Sequence, residues 1–389
     1  MSERSPDRLL KRAMLISHGA SLDGGAEFAL DELVEGLRRH APWVSLLVMV
    51  PSEGVIAKRA RLRGVKVAVV AQPRWADFGD LTRKHWIKNF LLGIVALVKT
   101  VRVVRSWKPD VIITNTLTIP VGSLAAKLCR IRHLWMVHEF GRRGLNLSFA
   151  LGYERTIATI GRLSTLVLCC SQAVRDELRQ YRIPEGKLVI VYGAVSTPTE
   201  PTAGPRGTDA ALEALVVGRI TAQKGQLLAV QALAAAVRAG ANVRLRLVGA
   251  LDDREYVTRV KALLDKEKLA DRVDFTGETD DPFTAYRSAH VLLMCAEDEA
   301  FGRVTVEAMK LGLPVIGVNS GGTRELIEEN RTGFLVPAGD SDAMGKKLVA
   351  LWSNEHERAS LGRWGREVAV RRFTVSGWVD AILSYAFQS

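Results

Sequence analysis

"EAFGRVTVEAMKLGLPVIGV", Glu299–Val318, packs a loop, a helix and a buried strand into one stretch. The apolar run "VLLMC" before it ends at Cys295, and residues 296–302 form a loop in which Gly302 permits a sharp turn. "RVTVEAMKLG" then reads as a helix, closed by Gly312 and barred from continuing by Pro314. "PVIGV" follows as the next strand. Strand, loop, helix and strand in that order build a doubly wound parallel sheet. Glu299 falls in the loop, and Glu307 falls just over one turn into the helix. Between them, the amides of Arg303 and Val304 open the helix, where first-turn N–H groups and the positive end of the dipole together make an anion seat. The flanking carboxylates accept hydrogen bonds from hydroxyls. A phosphate seat between two hydroxyl acceptors describes a nucleotide sugar. The plainer reading, that acids simply favour a helix N-terminus, would suffice for either glutamate alone.

Working outward, the same unit repeats. "AMLISHG", "VSLLVMV", "VKVAVV", "DVIITN", "HLWMVH", "TLVLCC" and "LVIVY" read as strands of a first half. They are nearly continuous in Val, Ile and Leu, as strands buried on both faces are. Helices such as 26–39 and 124–129 lie between them. "GAVSTPTEPTAGPRGTD", 193–209, is rich in Pro, Gly, Ser and Thr and reads as the interdomain connection. The pattern restarts with "ALVVG", "RLRLVG", "VDFTG", "VLLMC", "PVIGV" and "GFLV". The expected organisation is a Rossmann-like acceptor-side domain over 1–194 and a Rossmann-like nucleotide-sugar-binding domain over 195–372. A helix at 373–389 is expected to cross back to the first. The two domains should face a central cleft at the carboxyl ends of their strands.

A chain of 389 residues exceeds one hydrophobic core. Four cysteines in apolar runs, without metal spacing, point to a reducing compartment rather than a disulfide framework. "MSERSPDRLLKRAMLISHG" lacks the apolar core of a signal peptide, so a cytoplasmic location is expected. Up to Ala194 there are 30 Lys and Arg against 16 Asp and Glu, and beyond it 24 against 26. All the excess positive charge therefore sits in the first half, which suggests an anionic partner there. No aromatic-interleaved or helix-turn-helix pattern supports nucleic acid. "RKHWIKNFLLGIVALVKTVRVVRSWKPD", 83–110, has an apolar core too short and too flanked by bases to span a bilayer. Its plainer reading is a buried helix preceding "DVIITN". The functional one is a face exposed to anionic lipid, ringed by Lys84, Lys88, Lys99, Arg102 and Arg105. "KRARLRGVK", 58–66, reads as a surface charge run.

Other residues keep company with the two glutamates. "VVGRITAQKGQ" supplies Arg219 and Lys224 just after a strand, where both could reach a diphosphate. Gly24-Gly25 in "SHGASLDGGAEFAL" form a backbone anion nest, though not the GxGxxG dinucleotide fingerprint. "WMVHEF" puts His138 at a strand end beside Glu139, and "GRRG" adds Arg142 and Arg143 on the acceptor side. Asp252-Asp253 and Asp280-Asp281 read as loop charges rather than metal ligands.

Together these resemble the retaining GT-B glycosyltransferases of family 4. The resemblance covers nearly the whole chain. It is carried chiefly by the E-x7-E signature Glu299–Glu307 with its "EAFG" opening, by "VGRITAQKG", and by "SGGTRELI" with "TGFLVPAGD". It implies a metal-independent transfer without an added cofactor, from a nucleotide-diphosphate sugar of UDP or GDP type. The acceptor it suggests is a lipid-linked or polysaccharide precursor at the inner face of the cell membrane. It also implies roles. Glu299 would bind sugar hydroxyls and Glu307 the ribose. Arg219 and Lys224 would neutralise the diphosphate, with support from the amides of Arg303 and Val304 and from Gly25. His138 would contact the sugar. Gly249, Gly277, Phe301 and Gly302 would complete the donor site, and Gly24, Glu139, Arg142 and Arg143 the acceptor side. The family usually has His-Asp where this chain has His138-Glu139. The rival readings are another GT-B nucleotide-sugar enzyme, such as an epimerase or phosphorylase, and a non-catalytic transferase partner subunit.

Overall fold

The computed structural model describes residues 10–79, 82–143, 147–197, 211–279 and 281–388. Most of the 193–209 connection, together with the first nine residues, Gly144 and Asp280, lies outside them. The chain divides into two compact units, residues 1–194 with 374–389, and residues 195–373.

In unit 1, seven parallel strands follow the seven apolar runs. They are β1 (Lys11–Ile16), β2 (Val44–Val50), β3 (Lys66–Val69), β5 (Val111–Asn115), β6 (Arg132–Val137), β8 (Leu166–Cys169) and β9 (Leu188–Ile190). Their order is β3-β2-β1-β5-β6-β8-β9. The short strands β4 (Ala76–Phe78) and β7 (Leu147–Phe149) pair antiparallel on their own. On β1, Ala13 pairs with Leu46 of β2 and with Val111 of β5. Met14, Leu15 and Ile16 are fully buried, because helices cover both faces of the sheet. The helices Gly25–His40, Val55–Leu62 and Val375–Ala386 pack on one face. Arg83–Trp107 and Val121–Cys129 pack on the other. At Gly36 a Cβ would lie 2.6 Å from Val375 Cγ1, so the helix Gly25–His40 needs glycine there to meet Val375–Ala386.

Unit 2 has six parallel strands: β10 (Leu212–Val217), β11 (Val243–Val248), β12 (Val273–Gly277), β13 (Val291–Met294), β14 (Val315–Val318) and β15 (Gly333–Val336). Their order is β12-β11-β10-β13-β14-β15. The helix after β13 spans Arg303–Lys310, with Gly302 at its N-cap in the left-handed region (φ +98°). All four cysteines are free thiols, and three of them are buried.

The plainer reading of residues 83–110, a buried helix, is corrected. Arg83–Trp107 is helical, but only Ala96, Thr100 and Val104 are buried. Phe90 is 70% exposed, and Ile87, Leu91, Leu92, Ile94, Val95 and Val98 are exposed with it. The inward stripe is made of small residues, and Thr100 reaches Met49 Sδ at 3.9 Å on β2. The larger side chains are left on the outside. The 58–66 run is a paired surface: Arg59 meets Asp31 at 2.9 Å and Arg61 meets Glu53 at 2.7 Å.

Several titratable groups are buried in unit 1, and His133 is the most deeply buried imidazole among the described residues. His133 on β6 is 1% exposed, and its Nε2 lies 2.9 Å from Thr114 Oγ1 on β5. Burial pushes its pKa down to about 3. In the unfolded chain the imidazole returns to about 6.5. Below that value the unfolded state takes up a proton that the folded state refuses, so stability falls as pH drops from about 6.5 toward 3 and is complete above 6.5. The expected loss is a few kcal/mol over that window, at roughly 1.4 kcal/mol per pH unit. Urea denaturation at stepped pH, followed by the fluorescence of Trp135 beside His133, should show it. His133→Gln should flatten the acid limb, and an unchanged limb would overturn the assignment.

Candidate functional site

The winding of unit 2 reverses between β10 and β13, where ligands of such sheets bind. Two loops leave the sheet there and touch. A Cβ on Gly225 (φ +70°) would lie 2.5 Å from the carbonyl oxygen of Cys295. This approach sets Lys224 beside the second loop, and Lys224 Nζ lies 2.8 Å from Glu299 Oε2. Lys224 is 38% exposed and Glu299 17%, so the pair is open to a ligand without being fully solvated. The Glu299 loop is clamped from behind. Gly322 N donates to the Glu299 carbonyl at 2.7 Å. A Cβ on Gly322 would lie 2.6 Å from the Ala300 carbonyl oxygen, so "SGG" is required by close backbone approach.

Glu307 projects from the helix that starts at Arg303. Its Oε2 accepts from Tyr286 Oη at 2.7 Å, and Arg303 Nη2 lies 4.0 Å from its other oxygen. Tyr286 is fully buried. Burial first, and the Glu307 charge second, hold its pKa well above the usual phenol value. It therefore stays a neutral donor. Arg219 is exposed, and its carbonyl accepts from Gln226 Nε2 at 3.0 Å. Gly249 N donates to the Gly277 carbonyl at 2.9 Å, tying the ends of β11 and β12. Phe301 is 7% exposed and stacks edge-on to Phe373, with ring centroids 5.8 Å apart. Its side chain anchors the loop. Asp253 and Asp281 cap helices, accepting from the Tyr256 and Phe283 amides at 3.0 Å each.

Unit 1 reverses between β1 and β5. Gly24 caps the helix that begins at Gly25. Beneath them sits Glu27, 9% exposed, with His18 Nε2 at 2.9 Å from its Oε1. Burial alone would raise the Glu27 pKa. The hydrogen bond and charge of His18, with Arg74 beyond, outweigh burial and lower it. The carboxylate lies against the glycine loop: a Cβ on Gly24 would sit 2.8 Å from Glu27 Oε2. Asn115, fully buried at the end of β5, donates to the Ala26 carbonyl at 2.9 Å. Its Oδ1 is left as the acceptor for His138 Nε2 at 2.8 Å, so that ring nitrogen carries the proton. The structure thus brings the glycine loop and His138 together. Glu139 was expected on the acceptor side, but its carboxylate is taken up by the backbone. Oε1 accepts from the Leu117 amide at 2.9 Å and from the Thr116 hydroxyl, and Oε2 accepts from the His138 amide at 2.9 Å. The extra methylene relative to Asp lets it fold back onto these groups. Arg143 lies 3.5 Å from Glu177, and Arg142 is exposed.

Sequence reasoning missed His18, Glu27, Asn115, Thr116, Tyr286 and the Gly321-Gly322 clamp. Asn115 had a legible signal, a polar residue ending an apolar strand run. Tyr286 had none.

Two family models match the chain: "Glycosyltransferase Family 4" over residues 23–198 and "Glycosyl transferases group 1" over residues 208–368. The chain is 30% identical over 158 residues to the capsular polysaccharide biosynthesis glycosyltransferase CapM of Staphylococcus aureus. It is 34% identical over 154 residues to a phosphatidyl-myo-inositol mannosyltransferase of Mycobacterium leprae. The matches span 41% and 39% of this chain, and the same shares of those relatives' own lengths. Among solved structures, Anabaena HepE in complex with UDP-glucose superimposes with a TM-score of 0.77 at 21% identity, over 96% of this chain and 98% of that one. The likeness establishes the GT-B fold, built from two Rossmann-like units.

Because Tyr286 donates to a carboxylate that is itself mostly buried, Tyr286→Phe should lower the stability of unit 2 by about 1–2 kcal/mol, the worth of one such bond. The ring keeps its packing, so the loss belongs to the hydroxyl. Urea denaturation checks this, and coincident curves for variant and wild type would show that Glu307 is held by other means.

Proposed function

We propose that this chain is a glycosyltransferase that moves a sugar from a nucleotide-diphosphate sugar of UDP or GDP type. We propose further that it retains the anomeric configuration and relies on protein cations, rather than a divalent metal, to stabilise the leaving group. The observation that carries the reading is the arrangement on unit 2 at the strand reversal. Lys224 and Glu299 pair on one side of the helix N-terminus at Arg303, and Tyr286 fixes Glu307 on the other.

In glycosyl transfer the departing nucleoside diphosphate gains negative charge, and preorganised donors aimed at that charge lower the barrier most. Arg219, Lys224 and the first-turn amides of Arg303 and Val304 take this role. Glu307, oriented by Tyr286, accepts from ribose hydroxyls. Glu299 accepts from sugar hydroxyls and holds Lys224 in place until the diphosphate arrives. The backbones of Gly249, Gly277, Phe301 and Gly302 shape the donor site. On unit 1, His138 contacts the sugar side through Nδ1 as a hydrogen-bond acceptor, because Asn115 fixes the ring proton on Nε2. With the Glu27 carboxylate under Gly24-Gly25, that loop is better suited to hydroxyls than to a second anion. Glu139 acts as a positioning residue behind His138. Arg142 and Arg143 contribute to the acceptor side. The acceptor in this reading is a lipid-linked or polysaccharide precursor at the cytoplasmic membrane face. It is supported by the basic excess of the first half and by relatives named for capsular polysaccharide biosynthesis and for mannosylation of phosphatidyl-myo-inositol.

Lys224→Ala should lower kcat/KM by about 30- to 1000-fold, the scale for truncating one partner of a desolvated charge pair. Glu307→Ala should chiefly raise the Kd for the nucleoside diphosphate. Glu299→Gln separates the two duties of its residue. Turnover should drop, while nucleoside diphosphate binds more tightly because Lys224 has lost its competing carboxylate. Activity should persist in EDTA, and NMR of the product should show the donor's anomeric configuration. An inverted linkage, or full activity in both Lys224→Ala and Glu307→Ala, would overturn the proposal.

A further inference from the structure

The helix Arg83–Trp107 turns large apolar side chains outward. An exposed helix face ordinarily carries polar and mixed-sign charged residues. Here Ile87, Phe90, Leu91, Ile94 and Val98 recur at three- and four-residue spacing, so they share one face, turned away from the buried Ala96, Thr100 and Val104. Lys84, Lys88, Lys99 and Arg102 lie along one flank of that apolar stripe, with Arg83 and Arg105 near the ends. The helix contains no Asp or Glu at all. Contiguous exposed apolar surface of this kind marks an interaction site in a soluble protein.

We infer that this face docks on an anionic lipid bilayer, with the helix lying in the plane of the interface. The charge pattern selects the occupant. A second copy of the chain would bring six cations of one helix against six of another. A neutral apolar partner would leave the flanking bases without counter-charge. An anionic bilayer takes both at once: the apolar stripe enters the acyl boundary while the long Lys and Arg side chains extend from it to the headgroups. Spanning is excluded on two counts. One side of the helix is fixed to the sheet, and no helix among the described residues is long and apolar enough to cross a membrane. The inward side of the same helix is linked to the strand-reversal site of unit 1 through Arg74. Asn89 Nδ2 donates to the Arg74 carbonyl at 3.1 Å and lies 3.0 Å from His85 Nε2. Arg74 is in turn one of the charges that act on Glu27 under the glycine loop. A lipid-linked acceptor held in the bilayer would therefore present its headgroup beside that loop. Only this last step rests on the proposed function.

Cosedimentation with vesicles tests the docking separately from turnover. The full chain should sediment with equimolar phosphatidylglycerol and phosphatidylcholine, bind phosphatidylcholine alone weakly, and be released as salt rises. Lys84→Glu, Lys88→Glu and Arg102→Glu together should cut the partition coefficient by at least about a hundredfold, at several-fold per base. Phe90→Ser with Ile94→Ser should abolish binding even at low salt. All these positions are exposed, so circular dichroism melts should match the wild type, and hydrolysis of a soluble nucleotide-sugar donor should stay unchanged. Three results would each overturn the inference: no binding to anionic vesicles, equal binding to neutral ones, or a solution dimer that Phe90→Ser with Ile94→Ser converts to monomer without vesicle binding by the wild type. Vesicle binding by a chain without transferase activity would sink the proposed function and leave the docking standing.

Discussion

Parallel strands all end on the same edge of their sheet, and where the winding reverses, two neighbouring loops leave in opposite directions. That constraint decides where this chain can keep its chemistry. The central strands of both sheets are buried and mostly apolar, so polar groups open to a ligand collect in the loops at the strand ends. The loops after β1 and β5 in unit 1, and after β10 and β13 in unit 2, are where such groups collect. Glycines then bring these loops together. Gly225 lies against Cys295, and Gly321-Gly322 lie against Glu299 and Ala300, at distances no side chain would allow. Lys224 and Glu299 come from loops 75 positions apart in sequence, and they meet because those glycines let the backbones approach.

The fold was legible because burial on both faces erases the two-residue alternation in the central strands and leaves Val, Ile and Leu runs, while β11 keeps an alternating pattern with Arg244 outward. The three-residue pair β4 and β7 was not, since so short a segment carries no period. At the site, the positions of Glu299 and Glu307 relative to the helix could be read from Gly302 and Gly312. What holds them could not. Tyr286 reaches Glu307 through the packing of two helices, and Lys224 reaches Glu299 across the strand reversal, and neither contact leaves a local pattern. Glu139 misled for a related reason. Its neighbour His138 was correctly placed at a strand end, but the direction of a flexible carboxylate depends on which amides lack partners nearby. The helix Arg83–Trp107 defeated the polar–apolar pattern outright, because it is apolar on two opposite sides. Only side-chain size tells them apart, with Ala96 and Thr100 inward and Phe90 and Leu91 outward.

Unit 1 also shows how a strand end is made rigid enough to present a histidine. Thr116 sits at φ +91°, a costly backbone for a β-branched residue. Four contacts hold it there: its amide donates to Met136, its carbonyl accepts from Trp135 Nε1 at 2.7 Å, its hydroxyl donates to Glu139, and the next amide donates to the same carboxylate. The neighbouring Asn115 joins the first turn of the helix Gly25–His40 to His138. The strained Thr116, the buried Asn115 amide and the half-buried Glu139 carboxylate thus form one scaffold that orients the imidazole.

The passage of the chain out of unit 1 at residue 194 and back at 374 makes unit 2 an insertion. Trp378, Val379 and Ile382 complete the core over the helix Gly25–His40, and they are translated after all of unit 2. Domains emerging from the ribosome ordinarily finish in the order they are encoded. Here that order is inverted. The half encoded second is fully translated while the half encoded first still waits for its last helix, which completes the cover over Gly25–His40. A chain ending near residue 373 would hold all of unit 2 in sequence but lack the helix that packs on Gly25–His40 in unit 1.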